Sequence, residues 1–317
     1  MYRFLVLLAS SVVTAATYAG ETVDLLLLAG QSNMVGQAVA TSTTPGVSPA
    51  DTRIAYYYEV TNTGGSFADD SNQTFGTLTP WRRSSSDRRF GPEFSLGRDL
   101  DAAGLNPALV KVAVGGANIA RWQPGAIDYY AFRTAVLDAV GEINAAGNTV
   151  NPLGVAWLQG ESDVINTARA DAYAANLSAM ITGLRLDLDA ALPGVGFAEM
   201  NAFLIEPADW KNGSNPGIAT AANIAKVNQA LADFAAADPN AWFLPTDDFT
   251  QFGDGLIHFG PADQITLGSR LADAVLAAAV PEPASLALPV SACVPLIFCR
   301  SGGARKLPTT PHCNQTR

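Results

Sequence analysis

Between residues 21 and 280, short apolar runs alternate with stretches of helical spacing, and this alternation constrains the fold more than any other feature. The runs VDLLLLAG, ALVKVAV, LGVAWLQ, VGFAEMNAFL and AWFLP are mostly apolar along their length, as strands buried on both faces must be. Between and after them lie GPEFSLGRDLDAAG, YYAFRTAVLDAVGEINAAG, RADAYAANLSAMITGLRLDL, AANIAKVNQALADFAAA and ADQITLGSRLADAVLAAA, all with helical spacing. Strands alternating with helices predict an α/β fold: one three-layer α/β/α domain on a doubly wound parallel sheet. No internal repeat or linker divides the body, residues 20–280. Residues 38–90 stand apart. They are rich in Ser, Thr, Gly and Asp and hold one strand-like run, IAYYYEV, so they read as a long insertion after the first strand.

Both ends read as sorting signals. Residues 1–19 carry a basic Arg3, an apolar run and small residues at Thr17 and Ala19, the pattern of a secretory signal peptide cleaved after Ala19. Residues 281–317 open on Pro-Glu-Pro and continue into an apolar segment followed by Arg300, Arg305 and Lys306. That tail resembles the PEP-CTERM sorting signal of exported bacterial proteins, although Pro289 and Pro295 interrupt its apolar part. The expectation is a secreted or cell-surface bacterial protein whose tail associates transiently with the membrane. All three cysteines (Cys293, Cys299, Cys313) lie in the tail, so the body has no disulfide, thiol nucleophile or zinc–thiolate site. A net charge of −10 argues against a nucleic-acid partner.

In an open parallel sheet the ligand sits beyond the carboxyl ends of the strands, so those ends carry the functional reading. The first run ends in Gly30-Gln31-Ser32-Asn33, the second in Gly115-Gly116-Ala117-Asn118, the third in Gln159-Gly160-Glu161-Ser162-Asp163. The last leads to Asp254 and His258. Acyl transfer to a serine needs a hydroxyl, a base, a group that orients the base, and donors for the oxyanion. Ser32 supplies the hydroxyl, at the start of a helix whose dipole favours negative charge. Of the two histidines, His312 lies in the tail, which leaves His258 as the base. The backbone N–H groups of Ser32 and of Gly115 or Gly116, with the side-chain amide of Gln159, are candidate oxyanion donors. Gln31, Asn33, Asn118 and Trp122 are candidates for substrate contact.

AGQSNM, KVAVGGANIARW, WLQGESD and DGLIHFG resemble, in that order, the blocks of the sialate O-acetylesterase-like family, which groups with carbohydrate esterase family six in the SGNH hydrolase superfamily. FGPEFSLGRDL (90–100) matches a further stretch, and the resemblance spans about residues 23–275. It implies a flavodoxin-like fold and a serine esterase acting on acetylated carbohydrate without metal or cofactor. Ser32 is then the nucleophile, His258 the base, and Gly115 or Gly116 joins Gln159 around the oxyanion. The family's Asp-x-x-His is here Asp254-x-x-x-His258, and the extra residue makes Glu161 a second candidate acid beside Asp254.

Other enzyme folds fit less well. Met34 stands where a Gly-x-Ser-x-Gly elbow needs its last glycine, and no Gly-x-Gly-x-x-Gly turn is present. The rival reading is a non-catalytic glycan-binding surface protein, with Trp81, Trp122, Trp157, Trp210 and Trp242 as stacking platforms. Trp157 lies within a strand and is expected in the core, whereas Trp122 and Trp81 are the better sugar-facing candidates.

Overall fold

The computed structural model describes residues 20–208, 219–249 and 257–279. The expected signal peptide, the expected sorting tail, Asp254 and Trp210 lie outside them. The chain runs through β1 (Thr22–Gly30), α1 (Ser32–Val35), β2 (Ala38–Val39), β3 (Ala55–Asn62), β4 (Ala68–Asp70) and β5 (Gly76–Thr77). Next come β6 (Trp81–Arg82), β7 (Arg88–Phe90), α2 (Glu93–Ala102), β8 (Pro107–Gly115), α3 (Ile127–Ala145) and β9 (Thr149–Leu158). It continues through α4 (Glu161–Val164), α5 (Thr167–Ala191), β10 (Ala202–Ile205), α6 (Ala221–Ala237), β11 (Ala241–Leu244) and α7 (Pro261–Ala279).

Six strands pair in parallel in the order β11-β10-β9-β1-β8-β3, and antiparallel β4 closes the β3 edge. Leaving aside β3, which belongs to the insertion, the order by chain position is 2-1-3-4-5, the doubly wound flavodoxin-like arrangement. Its switch point falls between β1 and β9, where crossovers leave in opposite directions and open a crevice.

The period-2 alternation of a strand decides which helices cover which face. Leu25, Leu27, Ala29, Val155 and Trp157 point to one side and pack with Phe132, Val136, Leu177, Ile181, Val227 and Leu231 of α3, α5 and α6. Leu26, Leu28, Ala156, Leu158 and Phe203 point to the other and pack with Phe94, Leu100, Leu267 and Leu271 of α2 and α7. Leu25 to Leu28 are fully buried, each contributing about 2 kcal/mol of hydrophobic stabilisation. At its end β1 presses so close to β9 that a Cβ on Gly30 would stand 2.1 Å from the Leu158 carbonyl oxygen. Only glycine passes there, which puts Ser32 next to the end of β9.

Two expectations change in detail. Only the last three residues of VGFAEMNAFL enter a strand, β10 (Ala202–Ile205), because Phe197–Glu199 turns as a 3₁₀ helix ahead of it. The insertion is an ordered element rather than a loop: β3 joins the main sheet, and β2, β7 and β6 form a small antiparallel sheet. Among the described residues no helix is long and apolar enough to cross a membrane.

Candidate active site

The carboxyl ends of β1, β8 and β9 open on a cleft of about 500 Å³. Ser32 and Gln31 reach it from β1, Gly115 and Gly116 from β8, Glu161 and Ser162 from β9, and His258 from the loop before α7. Asn62, Thr63 and Arg83 of the insertion complete the wall. A larger cavity, about 680 Å³, lies by Glu59, Asp69 and Asp128. It touches neither Ser32 nor His258, so the chemistry belongs to the smaller one.

Ser32 opens the single turn of α1 and is 8 % exposed. Asn33, the next residue, is fully buried and holds the histidine loop from both sides. Its Nδ2 donates to the Ile257 carbonyl at 2.9 Å, and its Oδ1 accepts from the Phe259 N–H at 2.9 Å. These two bonds bracket His258. The same Nδ2 donates to Glu161 Oε1 at 2.6 Å. That oxygen also accepts from the Ala208 N–H at 3.3 Å, while Oε2 is buried without a partner among the described residues. Burial pushes the Glu161 carboxyl up to about 7, against the opposing pull of the Asn33 hydrogen bond.

A second amide cluster ties the strand ends together beneath the cleft. Gln31 Oε1 accepts from Gln159 Nε2 at 3.1 Å, from the Ser162 N–H at 3.1 Å and from the Gly160 N–H at 3.4 Å. Gln159 Nε2 also faces the Ala117 carbonyl at 3.1 Å and Asp163 Oδ2 at 2.5 Å. Burial raises the Asp163 pKa as well.

The family model described as carbohydrate esterase, sialic acid-specific acetylesterase, matches residues 22–277. The chain belongs to this family. Membership makes it an acetylesterase, a carboxylic ester hydrolase. Solved structures share the fold at low identity. One, from Arabidopsis thaliana, is 19 % identical with a TM-score of 0.59, over 80 % of the esterase and 98 % of that chain. NanS is 15 % identical with a TM-score of 0.59, over 82 % and 98 %. A carbohydrate acetylesterase from Xanthomonas citri is 19 % identical with a TM-score of 0.50, over 78 % of the esterase and 55 % of that chain. No curated protein matches the sequence.

Ser32, His258, Glu161, Gly115 and Gly116 of the esterase meet in one cleft, as expected, whereas several other expectations need correction. Gln159 is not placed to donate to an oxyanion: it is fully buried, it does not line the cleft, and its two N–H groups already face three acceptors. Asn33 is not a substrate contact, because its buried amide is spent on the histidine loop and Glu161. Gln31 lines the cleft but serves as a brace through Oε1. Asn118 caps the 3₁₀ turn Ile119–Trp122 by accepting from the Ala120 N–H, and does not line the cleft.

Trp122 is fully buried, edge-on to Trp157 and Phe132 at 5.2 and 6.2 Å, so it belongs to the core. Trp81 is equally buried, its Nε1 donating to the Gly36 carbonyl. Neither can stack on a sugar. Trp157 is in the core as expected. Asn62, Thr63 and Arg83 were not legible as site residues, since nothing local distinguishes them within a polar insertion.

The Asn33 bracket carries a prediction. Asn33→Ala in the esterase should cut kcat on a chromogenic acetyl ester by about 100-fold, since small misplacements of a catalytic group cost that much. KM should change little, because the amide does not face the cleft. A wild-type kcat in the folded variant would show that His258 is held by other means.

Proposed function

We propose that this acetylesterase is an exported serine enzyme that removes O-acetyl and other short acyl groups from carbohydrates. Ser32 is the nucleophile, His258 the base and Asp254 the acid paired with it, while Glu161 acts through Asn33 on the position of the histidine loop. One observation carries the reading: Ser32 and His258 line the same cleft, and the residue next to Ser32 grips the peptides on both sides of His258. Neither Glu161 oxygen has His258 as its partner, which favours Asp254 as the direct acid. Export rests on the basic, apolar and small-residue order of residues 1–19.

In this mechanism Ser32 Oγ attacks the acetyl carbonyl carbon as its proton passes to His258. The carbonyl oxygen takes the negative charge, met by the backbone N–H groups of Ser32 and of Gly115 or Gly116. Collapse breaks the bond to the sugar oxygen, which leaves with the proton from the imidazolium. Water, giving its proton to His258, then attacks the acetyl-serine carbonyl; the bond to Ser32 Oγ breaks as the imidazolium returns that proton to Oγ, and acetate departs.

The test is acetate release by the purified protein from a panel of acetylated glycans. The panel needs acetylated xylan and O-acetylated sialic acid, because Arg83, whose guanidinium stands 3.9 Å from Asp87, lies in the cleft wall where an acidic sugar could compete for it. No acetate from any member would overturn the carbohydrate assignment. Exhaustive chelation should leave the rate unchanged, since the body offers one histidine and no cysteine to a tetrahedral zinc. Activity should rise from acid toward neutral pH, because a general base must be unprotonated to act. Loss with EDTA, restored by a divalent cation, would overturn the metal-free reading.

A further inference from the structure

Lys111 sits in the middle of β8, a strand buried along its whole length, and takes no direct part in the acyl-transfer chemistry. Its Nζ donates to Glu93 Oε2 at 2.8 Å and to the Val35 carbonyl at 2.9 Å. Burial lowers the lysine's pKa and Glu93 pulls it back up. A buried ion pair is weak evidence for stability, since well-packed apolar side chains of similar volume often do as well. The second acceptor explains more. Val35 ends the single turn that Ser32 begins, and the Val35 N–H closes that turn on the Gln31 carbonyl at 2.8 Å.

The last carbonyls of a helix have no partners within it, and a one-turn helix consists almost wholly of such ends. Here two carbonyls of the turn, and those of the two residues after it, are met by side chains. The carbonyl of Asn33 accepts from Gln264 Nε2 of α7 at 3.1 Å, and that of Val35 from Lys111 of β8. That of Gly36 accepts from Trp81 Nε1 of β6 at 2.8 Å, and that of Gln37 from an Arg89 guanidinium N–H of β7 at 2.6 Å. Backbone also presses on backbone: Gly36 has φ 88°, and a Cβ there would lie 2.2 Å from the Gly91 nitrogen. Glu93 closes the set by accepting from the Gly91 N–H at 2.9 Å.

Resting on the reading of Ser32 as nucleophile, we infer that Lys111 and Trp81 are positioning residues: they hold the carbonyls of Val35 and Gly36 so that the turn presents Ser32 to the cleft. The small sheet of the insertion is then a clasp on the nucleophile turn, and Lys111 of β8 holds the carbonyl next to the one that Trp81 holds. Neither residue lines the cleft, so a clasp should act on turnover and leave substrate affinity alone.

The experiment uses the full chain with two variants. Lys111→Met/Glu93→Gln removes both charges and keeps an acceptor for the Gly91 N–H. Trp81→Phe removes the donor to Gly36 and part of a buried ring while keeping an aromatic side chain. Both are compared with wild type for kcat and KM on a chromogenic acetyl ester, and for the rate at which a fluorophosphonate labels Ser32. The double variant should lose about 100-fold in kcat, with KM little changed and labelling slowed in parallel. Trp81→Phe should show the same split at about tenfold, and it decides the matter alone if the double variant does not fold. Val140→Ala, a buried truncation in α3 away from the turn, controls for simple destabilisation and should keep wild-type kcat per folded molecule. Wild-type turnover and labelling in the folded variants, with Ser32→Ala inactive, would overturn the clasp alone. Activity in Ser32→Ala would overturn the nucleophile assignment and the clasp with it.

Discussion

Ser32→Ala is expected to reduce acetyl ester hydrolysis to background, a loss on the order of a million-fold in kcat if Ser32 is the nucleophile. The fold should survive. Ser32 holds the turn through its backbone, its carbonyl accepting from the Gly36 N–H at 3.0 Å, and that bond does not need the hydroxyl. Alanine is also the strongest helix former, and the position is the first of a helical turn. Circular dichroism and thermal unfolding should therefore match wild type while acetate release disappears. A fluorophosphonate adduct on Ser32 in the wild type, absent from the variant, is the positive counterpart. Residual activity near the wild-type rate would end the acyl-serine reading.

The second large effect separates the two carboxylates. Asp254→Asn should cost on the order of 10⁴ in kcat, because an amide in place of the acid favours the wrong imidazole tautomer. Glu161→Gln should cost far less, since Gln retains an acceptor for Asn33 Nδ2 and Glu161 touches the histidine loop only through that amide. Its larger signature lies in stability. Burial raises the Glu161 carboxyl from 4.5 to about 7, so the folded state holds a proton that the unfolded chain releases earlier. The resulting stabilisation is complete below pH 4.5 and lost as pH rises through about 7. It amounts to about 3 kcal/mol. The amide of Glu161→Gln cannot ionise, so the unfolding midpoint of that variant should fall less across that window than that of the wild type, by the share that Glu161 contributes. Parallel curves would show that Glu161 is not held protonated by its surroundings. Equal, mild kcat losses in both variants would leave His258 without an orienting acid and make the site a Ser-His dyad.

The layers were legible in the sequence because burial on two faces leaves a mark that needs no tertiary information. A strand such as Leu25–Leu28 has no polar side, and AANIAKVNQALADFAAA became α6 over the same residues. The small sheet of the insertion left no such mark. Strands of two or three residues, such as β2, β6 and β7, are too short to show a period, and their pairing depends on contacts far apart in sequence. At the site, Ser32, Glu161 and His258 were legible because few residue types can perform their chemistry. The amides were misread for the opposite reason. An Asn or Gln at a strand end serves equally well as a donor to substrate or as a buried brace, and only its burial decides which. Trp122 was misread in the same way: a glycine pair ahead of a tryptophan says nothing of which side of the sheet the ring enters.

The bracket of Asn33 around His258 also has a bearing on how sequences of this kind can drift. In most triads the separation of serine and histidine is the outcome of a long detour through the fold, so an error anywhere along that path reaches the chemistry. Here the measuring stick is one residue long: the histidine is suspended from the serine's immediate neighbour. The separation of Ser32 and His258 then does not rest on the length of the chain that leads from β11 to Ile257. A residue gained or lost there would be felt by a carboxylate carried on that chain, while the spacing of Ser32 and His258 is set locally at Asn33.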